Sequence, residues 1–135
     1  MDCIFCKIIK GEIPCTKVYE DEEHLSFLDI APANKGHCLV IPKKHSETTL
    51  DMNKEELCRL IAVVNKVTAG VVKALKPDGY NLFVNNKKAA GQLVPHVHFH
   101  IVPRFKDDGH KFDWEHKKYE DGEAEEFRER IKNFL

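Results

Sequence analysis

Three histidines alternate with apolar residues in one short stretch, His-Val-His-Phe-His-Ile-Val at positions 96–102. Side chains alternate between the two faces of a β-strand, so a strand here places His96, His98 and His100 on one face. The apolar side chains between them face the other way and can pack on a core. A neutral imidazole has a pKa near 6.5 and is a nucleophile at neutral pH. The pattern therefore favours covalent catalysis at phosphorus, with neighbouring histidines binding oxygens and protonating a leaving group.

A metal centre is the alternative chemistry for the same stretch. Alternate strand residues are about 6.8 Å apart, so His96 and His98 could chelate one ion. His96 and His100 are about 13.6 Å apart along a strand, which is too far for zinc bonds of about 2 Å. Geometry therefore disfavours a single three-histidine centre. Half-exposed histidines without a function are the third interpretation, which the strict alternation disfavours.

Cys3 and Cys6 form a thiolate pair at the spacing of metal ligands. A redox pair and two buried thiols are the open alternatives, although no thioredoxin-like βαβ pattern surrounds them. The chain has five cysteines, an odd number, so a disulfide framework is not expected. The other three cysteines are expected to be small apolar or surface residues.

Composition predicts one soluble domain over residues 1–135. Charged residues make up 32% and hydrophobic residues 42% of the chain, an ordinary globular mixture. The 21 basic and 22 acidic side chains leave a net charge of -1, so general nucleic-acid binding is not expected. No apolar run of about 18 residues predicts a membrane span. The first residues lack the pattern of a signal peptide, so a cytoplasmic location is expected.

The elements that must position the histidines predict an α+β domain. A helical turn is expected at 3–10 and a final helix from about Glu123. A long helix begins after Asn53, which forms a capping-box pattern with Glu56. Short links between the strands predict an antiparallel sheet with helices packed on it. The strand patterns lie at 17–20, 25–30, 37–42, 80–85 and 96–102.

The histidine stretch resembles the His-φ-His-φ-His-φ-φ motif of the histidine triad (HIT) family of nucleotide hydrolases and transferases. Other blocks resemble that family in the same order, at 3–9, 11–14, 18–21, 27–30 and 36–45. The resemblance implies an α+β HIT-type fold of about five antiparallel strands, one long helix and a C-terminal helix. It also implies a two-fold homodimer formed through the long helix and the strand at 80–85.

The resemblance further implies a role for each site residue. His98 would attack the α-phosphate of a purine nucleotide and form a nucleotidyl-histidine intermediate, with no catalytic cofactor. His100 would contact the phosphate and leaving group, with His37 beside the phosphate. The nucleotide-binding residues would be Phe27 and Ile30 around the base, Asp29 on the ribose, and Asn85, Gly91, Gln92 and Leu93 toward the phosphate. Leu93 departs from the Ser or Thr common there, so the contacts at that point differ.

A structural zinc ion is implied by the same resemblance. Its ligands would be Cys3, Cys6, His45 and His96, which removes His96 from acid–base chemistry. His24, His110 and His116 show no evident partner and are expected to face solvent. Phe112 and Trp114 are expected to pack on the sheet, with contact to a partner subunit or to a second nucleotide as the alternatives.

The substrate branch stays open at this point. Pro103-Arg104-Phe105 after the triad resembles the dinucleoside-polyphosphate hydrolases more than the phosphoramidases, which carry a Gly-Gly ending. Hydrolysis of nucleoside phosphoramidates or acyl-adenylates is the other branch. A nucleotidyl transferase, a nucleotide-binding module with slow turnover and a zinc-binding structural protein are the alternatives.

Overall fold

The structure is a computed structural model that describes residues 2–111 and 113–135; the expectation for Phe112 lies outside them. Five antiparallel strands form one sheet in the order β1-β2-β3-β5-β4, which confirms the predicted α+β class. None of the described helices is long and apolar enough to cross a membrane. The elements are α1 (Ile4–Ile9), β1 (Lys17–Glu20), β2 (His24–Leu28), β3 (Cys38–Pro42), α2 (Lys54–Leu75), β4 (Gly79–Val84), β5 (Phe99–Arg104) and α3 (Glu123–Lys132).

The long helix α2 covers one face of the sheet. It begins as predicted, because the Asn53 side chain accepts from the Glu56 backbone N–H while the Glu56 carboxylate accepts from the Asn53 N–H. Leu60, Val64 and Val67 belong to its buried stripe. That stripe packs on Val40 of β3 and on the apolar residues between the histidines, so the predicted alternation of faces is confirmed.

The opposite face of the sheet carries the histidines and the short helix α1. Phe5 of α1 packs with Leu25, Phe27 and Leu39 in a second buried cluster. Phe5, Phe27 and Leu39 of this cluster line the cavity on the histidine face.

The histidine segment starts later as a strand than the sequence predicts. β5 begins at Phe99, so His96 and His98 lie before it. The preceding backbone is held by other bonds, since the His96 N–H donates to Val94 O and the Val97 N–H donates to Ser46 O. Pro95 supplies no N–H for a sheet ladder. Residues 96–98 therefore alternate their side chains as a strand does, but their backbone does not pair with a neighbouring strand.

Three expectations about burial and packing are wrong. His24 is 5% exposed, with Nδ1 held by the Asp21 carboxylate at 2.9 Å, so it does not face solvent. The helix α3 does not pack on the sheet, because none of its residues is buried. Trp114 is also largely exposed in the single chain, at 76%.

Candidate active site

The histidine face opens into a cavity of about 540 Å³ between α1, the ends of β2 and β3, and the segment before β5. His98 and His100 line it together with Asp29. The other lining side chains are mostly apolar, which is the usual character of a small-molecule site. Those apolar residues include Ile4, Phe5, Ile8, Ile13, Phe27, Leu28, Ile30, Leu39, Leu93 and Val94.

The hydrogen bonds of His98 determine which ring nitrogen is free. Nδ1 lies 2.7 Å from the backbone carbonyl oxygen of His96. A carbonyl only accepts, so Nδ1 carries the proton and donates. The lone pair is therefore on Nε2, the nitrogen left for the cavity. The ring is 5% exposed, and Phe5 packs edge-on against it at 5.1 Å between centroids.

His37 and His100 form a second pair with assigned protons. The Ala33 backbone N–H donates to Nδ1 of His37 at 3.1 Å, so this nitrogen is unprotonated and Nε2 carries the hydrogen. Nε2 of His37 lies 2.9 Å from Nδ1 of His100 and donates to it. The proton of His100 is consequently on its Nε2. The pair thus presents an N–H donor beside the His98 lone pair.

Burial keeps these imidazoles in their neutral form. It lowers the pKa of His98 and of His37 below the ordinary value. Burial, with smaller contributions from His98 and His37, lowers the pKa of His100 to about 4. Phe83 stacks on the His100 ring at 4.5 Å with 12° between the planes. At neutral pH the site therefore offers an uncharged nucleophile and an uncharged donor.

Asp29 is placed where its free oxygen can accept. Oδ1 accepts from the Ala31 backbone N–H at 2.9 Å, and Oδ2 lies 3.7 Å from Nε2 of His37. The carboxylate lines the cavity between the histidines and the apolar wall formed by Phe27, which is 4% exposed. Ile30 stands at the rim and is fully exposed, at 100%. Both apolar residues occupy the positions at which a wall around a base was predicted.

The loop before the triad contributes three of the four residues predicted toward the phosphate. Asn85, Gly91 and Leu93 line the cavity. Gly91 has a φ of +93°, which a residue with a Cβ adopts at a cost. Gln92 does not line it: its Oε1 accepts from the Lys87 N–H and its Nε2 donates to Glu47 O, each at 2.7 Å. The Gln92 side chain therefore stabilises the loop by bonding it to the backbone of Lys87 and Glu47.

Four predicted metal ligands converge behind the cavity. Sγ of Cys3 lies 3.5 Å from Nδ1 of His96, and Sγ of Cys6 lies 3.7 Å from the same nitrogen. Nδ1 of His45 is 3.4 Å from Sγ of Cys6 and 3.1 Å from Nδ1 of His96. Ligands on one tetrahedral zinc ion lie roughly 3.3–3.8 Å apart, given bonds of about 2.0–2.3 Å. The cluster can hold a metal ion.

The second bond of His96 suits a metal ligand. Its Nε2 lies 2.8 Å from the carbonyl oxygen of Pro42, so Nε2–H donates and Nδ1 keeps its lone pair for a metal. Burial lowers the pKa of His96 to about 4, which also favours the unprotonated ligand.

Sequence reasoning missed Phe5, Phe83 and Ala33. The Phe5 ring packs edge-on against both His96 and His98, with centroids 5.9 and 5.1 Å away, and so links the Cys3, Cys6, His45 and His96 cluster to the cavity. Ala33 acts through its backbone N–H. No local signal in the sequence shows which histidines the Phe5 ring contacts.

Comparisons with known proteins agree with this geometry. Residues 10–107 match the model of the HIT domain, so the chain belongs to the histidine triad family. It is 60% identical over 107 residues to an uncharacterised HIT-like protein of Methanocaldococcus jannaschii, covering 79% of this chain and 82% of that one. It is 50% identical over 104 residues to a Schizosaccharomyces pombe protein named adenosine 5'-monophosphoramidase, covering 77% and 75%.

Solved structures of the family share the fold. A HIT-family protein from Bacillus subtilis superposes with a TM-score of 0.93 at 40% identity, covering 100% of this chain and 98% of the other. A zinc-bound histidine triad protein from Mycobacterium smegmatis superposes with a TM-score of 0.78 at 39% identity, covering 87% and 85%. The predicted fold is therefore confirmed.

Proposed function

We propose that the protein hydrolyses purine nucleotide derivatives at the α-phosphate through a covalent bond to Nε2 of His98. The observation that carries this proposal is the tautomer of His98. Its Nδ1–H is held by the carbonyl of His96, which leaves the Nε2 lone pair at the floor of the cavity. A buried, neutral and oriented imidazole is an activated nucleophile without any adjacent base.

The proposed reaction has two displacements. Nε2 of His98 forms a bond to phosphorus as the bond from phosphorus to the leaving group breaks. His100 donates its Nε2–H hydrogen bond to the phosphate oxygens or leaving atom, and the leaving group takes its proton from solvent. The positive charge that develops on His98 is stabilised by the carbonyl at Nδ1. Water then attacks phosphorus, the N–P bond breaks, and a proton returns to solvent.

The charges in the cavity favour a nucleoside monophosphate whose substituent on the α-phosphate carries no charge in the substrate, as in phosphoramidates and acyl-adenylates. Within the described part of the chain, no lysine or arginine lines the cavity. Asp29 adds a negative charge, and His98 and His100 are neutral. A polyphosphate chain would bring several negative charges to this site without a counter-ion.

Arg104, which resembled the dinucleoside-polyphosphate branch, lies outside this cavity. Its guanidinium donates to Asp108, to Asn81 and to the carbonyl of His110. The name of the Schizosaccharomyces pombe relative agrees with the phosphoramidate branch. Leu93, 91% exposed at the cavity rim, adds apolar surface where a leaving group would exit.

Catalysis is proposed to use no metal ion. The competing interpretation is a catalytic metal ion held by Asp29, His37 and His100, whose ligand atoms lie within 4.8 Å of one another. A metal on Nε2 of His37 would require a proton on its Nδ1 to keep the ring neutral. The Ala33 N–H already points at that nitrogen, so the protein disfavours metal binding here.

The cluster of Cys3, Cys6, His45 and His96 is proposed to hold a structural zinc ion. Four protein ligands leave no open position for substrate. The ion would tie α1 to the segment before β5 and thereby press Phe5 against His98. The zinc-bound Mycobacterium smegmatis relative supports the choice of metal.

We also propose the two-fold dimer implied by the family resemblance. β4 is an edge strand of the sheet, and edge strands present unpaired backbone groups. Tyr80 and Leu82 of β4 are 50% and 42% exposed, and Ile61 of α2 is 44% exposed. Light scattering coupled to gel filtration tests the mass directly; a monomer would contradict it.

The decisive experiment is intact-protein mass spectrometry without acid, because a phosphohistidine bond is acid-labile. Wild type, His98→Ala and the control His116→Ala are mixed with an adenosine phosphoramidate and, separately, with a diadenosine polyphosphate. We expect an adenylyl adduct in wild type and His116→Ala only, formed faster from the phosphoramidate. Tight nucleotide binding with neither adduct nor turnover would instead favour the binding module. A faster reaction with the polyphosphate would contradict the proposed leaving group.

A further inference from the structure

A buried carboxylate organises the turn that follows β5. Oδ2 of Asp108 accepts from Nε of Arg104 at 2.8 Å, from Nδ2 of Asn34 at 3.0 Å and from the Phe105 N–H at 3.0 Å. Oδ1 accepts from Nη2 of Arg104 at 3.1 Å and from the His110 N–H at 3.0 Å. The Asp108 side chain is only 7% exposed. The Arg104 guanidinium holds the pKa of this carboxyl far below its usual range. We call Asp108, Arg104, Asn34 and His110 the Asp108 hub.

The Asp108 hub holds the loop between β2 and β3 at two neighbouring residues. Asn34 is fixed by its side chain, whose Nδ2 donates to Asp108 and also to the carbonyl of Pro103 at 2.8 Å. Ala33 is fixed by its carbonyl, which accepts from Nε2 of His110 at 2.6 Å. His110 is exposed, as expected, but this bond gives it the partner that the sequence did not show.

The same two residues hold His37. The Ala33 N–H donates to Nδ1 of His37, and the His37 N–H donates to the carbonyl of Asn34 at 3.0 Å. Ala33 and Asn34 therefore bond to both groups. The Ala33 carbonyl and the Asn34 side chain bond to the Asp108 hub, whereas the Ala33 N–H and the Asn34 carbonyl bond to His37. A shift of this region would take the Ala33 N–H away from Nδ1 and free the His37 proton to occupy either nitrogen.

We propose that Asp108 is a positioning residue for the His37–His100 pair: by fixing Asn34 and His110 it keeps the Ala33 N–H on Nδ1 of His37. Nε2 of His37 then donates to His100, and His100 directs its own N–H into the cavity. The expected effect of Asp108 on catalysis rests on the proposed function of His100. Its expected effect on the tautomer of His37 does not depend on that function. Asp108 contacts neither the cavity nor the reacting atoms.

The test compares Asp108→Asn with Asp78→Asn. Asp78 is a matched control, since its carboxylate accepts from the Lys106 N–H at 2.8 Å and so holds the same turn without touching the loop before His37. The first readout is the protonation of each His37 ring nitrogen, measured by long-range nitrogen–proton NMR correlation. The second is the separation of kcat from KM with an adenosine phosphoramidate.

We expect Asp108→Asn to give His37 a mixture of tautomers. We also expect kcat to fall about 10- to 100-fold with KM changed less than about 3-fold, since a misplacement of about 1 Å costs that order of rate. Asp78→Asn should keep the wild-type tautomer and kcat. Wild-type tautomer and kcat in Asp108→Asn would overturn the proposal, and so would an equal loss in both variants.

His110→Ala keeps the proposal testable if Asp108→Asn does not fold. It removes only the exposed bond to the Ala33 carbonyl, so a folded protein with a smaller change of the same kind is expected. An unchanged His37 tautomer in this variant would count against the hub. The NMR readout needs no turnover and therefore distinguishes failure of this proposal from failure of the proposed hydrolysis.

Discussion

The pH dependence of turnover follows from the burial of the site histidines. An imidazole with the ordinary pKa of 6.5 is only about 9% neutral at pH 5.5. Burial lowers the pKa of His98, and it lowers the pKa of His100 to about 4. With a pKa of about 4, His100 is still neutral in about 97% of the molecules at pH 5.5. We therefore expect kcat/KM at pH 5.5 to stay well above one tenth of its value at pH 7.5.

The assay is kcat/KM for an adenosine phosphoramidate between pH 4.5 and 8, corrected with His98→Ala for uncatalysed hydrolysis. Protein held at each pH is returned to pH 7.5 and assayed again, with its metal content measured, so that unfolding and metal loss are separated from titration. An acid limb with its midpoint at pH 6.5 or above would refute the reasoning. It would mean that the nucleophile is solvated rather than buried in the active form.

The same shift makes stability depend on pH. The folded pKa of His100 lies below its unfolded value, so the folded state binds fewer protons in acid. The contribution of neutral His100 to the free energy of unfolding is fully present above pH 6.5 and is lost as the pH falls from 6.5 toward 4. A shift from 6.5 to about 4 corresponds to a loss on the order of 3 kcal/mol. Urea midpoints that do not change over this range would contradict the burial argument.

Three further predictions concern other parts of the molecule. Cys6→Ala should abolish zinc binding and lower the free energy of unfolding by on the order of 4 kcal/mol. Turnover should also fall, because α1 no longer holds Phe5 against His98. Metal analysis, urea unfolding and kcat check these outcomes. Asn53→Ala removes the bond that the Asn53 side chain accepts from the Glu56 backbone N–H and should lower the free energy of unfolding by about 1 kcal/mol with kcat unchanged, as measured by urea unfolding and kinetics. Leu93→Ser should change the free energy of unfolding by less than about 0.5 kcal/mol, since Leu93 is 91% exposed, but should reduce the preference for apolar leaving groups in a competition assay.

Local patterns in the sequence were enough for several elements. The alternation at 96–102 separated the histidines from the apolar side chains that pack under α2, although only His98 and His100 line the cavity, and the capping box at Asn53 predicted the start of α2. These features depend on bonds and periodicities within a few residues. The sequence also predicted a final helix from about Glu123, where α3 begins. Its expected packing was wrong, because amphipathic periodicity shows that a face is apolar but not what covers it.

The site histidines divide in the same way. The sequence alone determined that His96, His98 and His100 share one face and that Cys3 and Cys6 are spaced as ligands, because both are local facts of chain geometry. Only the tertiary structure decided which nitrogen of each ring is free. That depends on carbonyls and N–H groups brought from distant segments, such as Pro42 on His96 and Ala33 on His37. The protonation of an imidazole is set by its neighbours in space, so the roles of chemically identical side chains emerge only on folding.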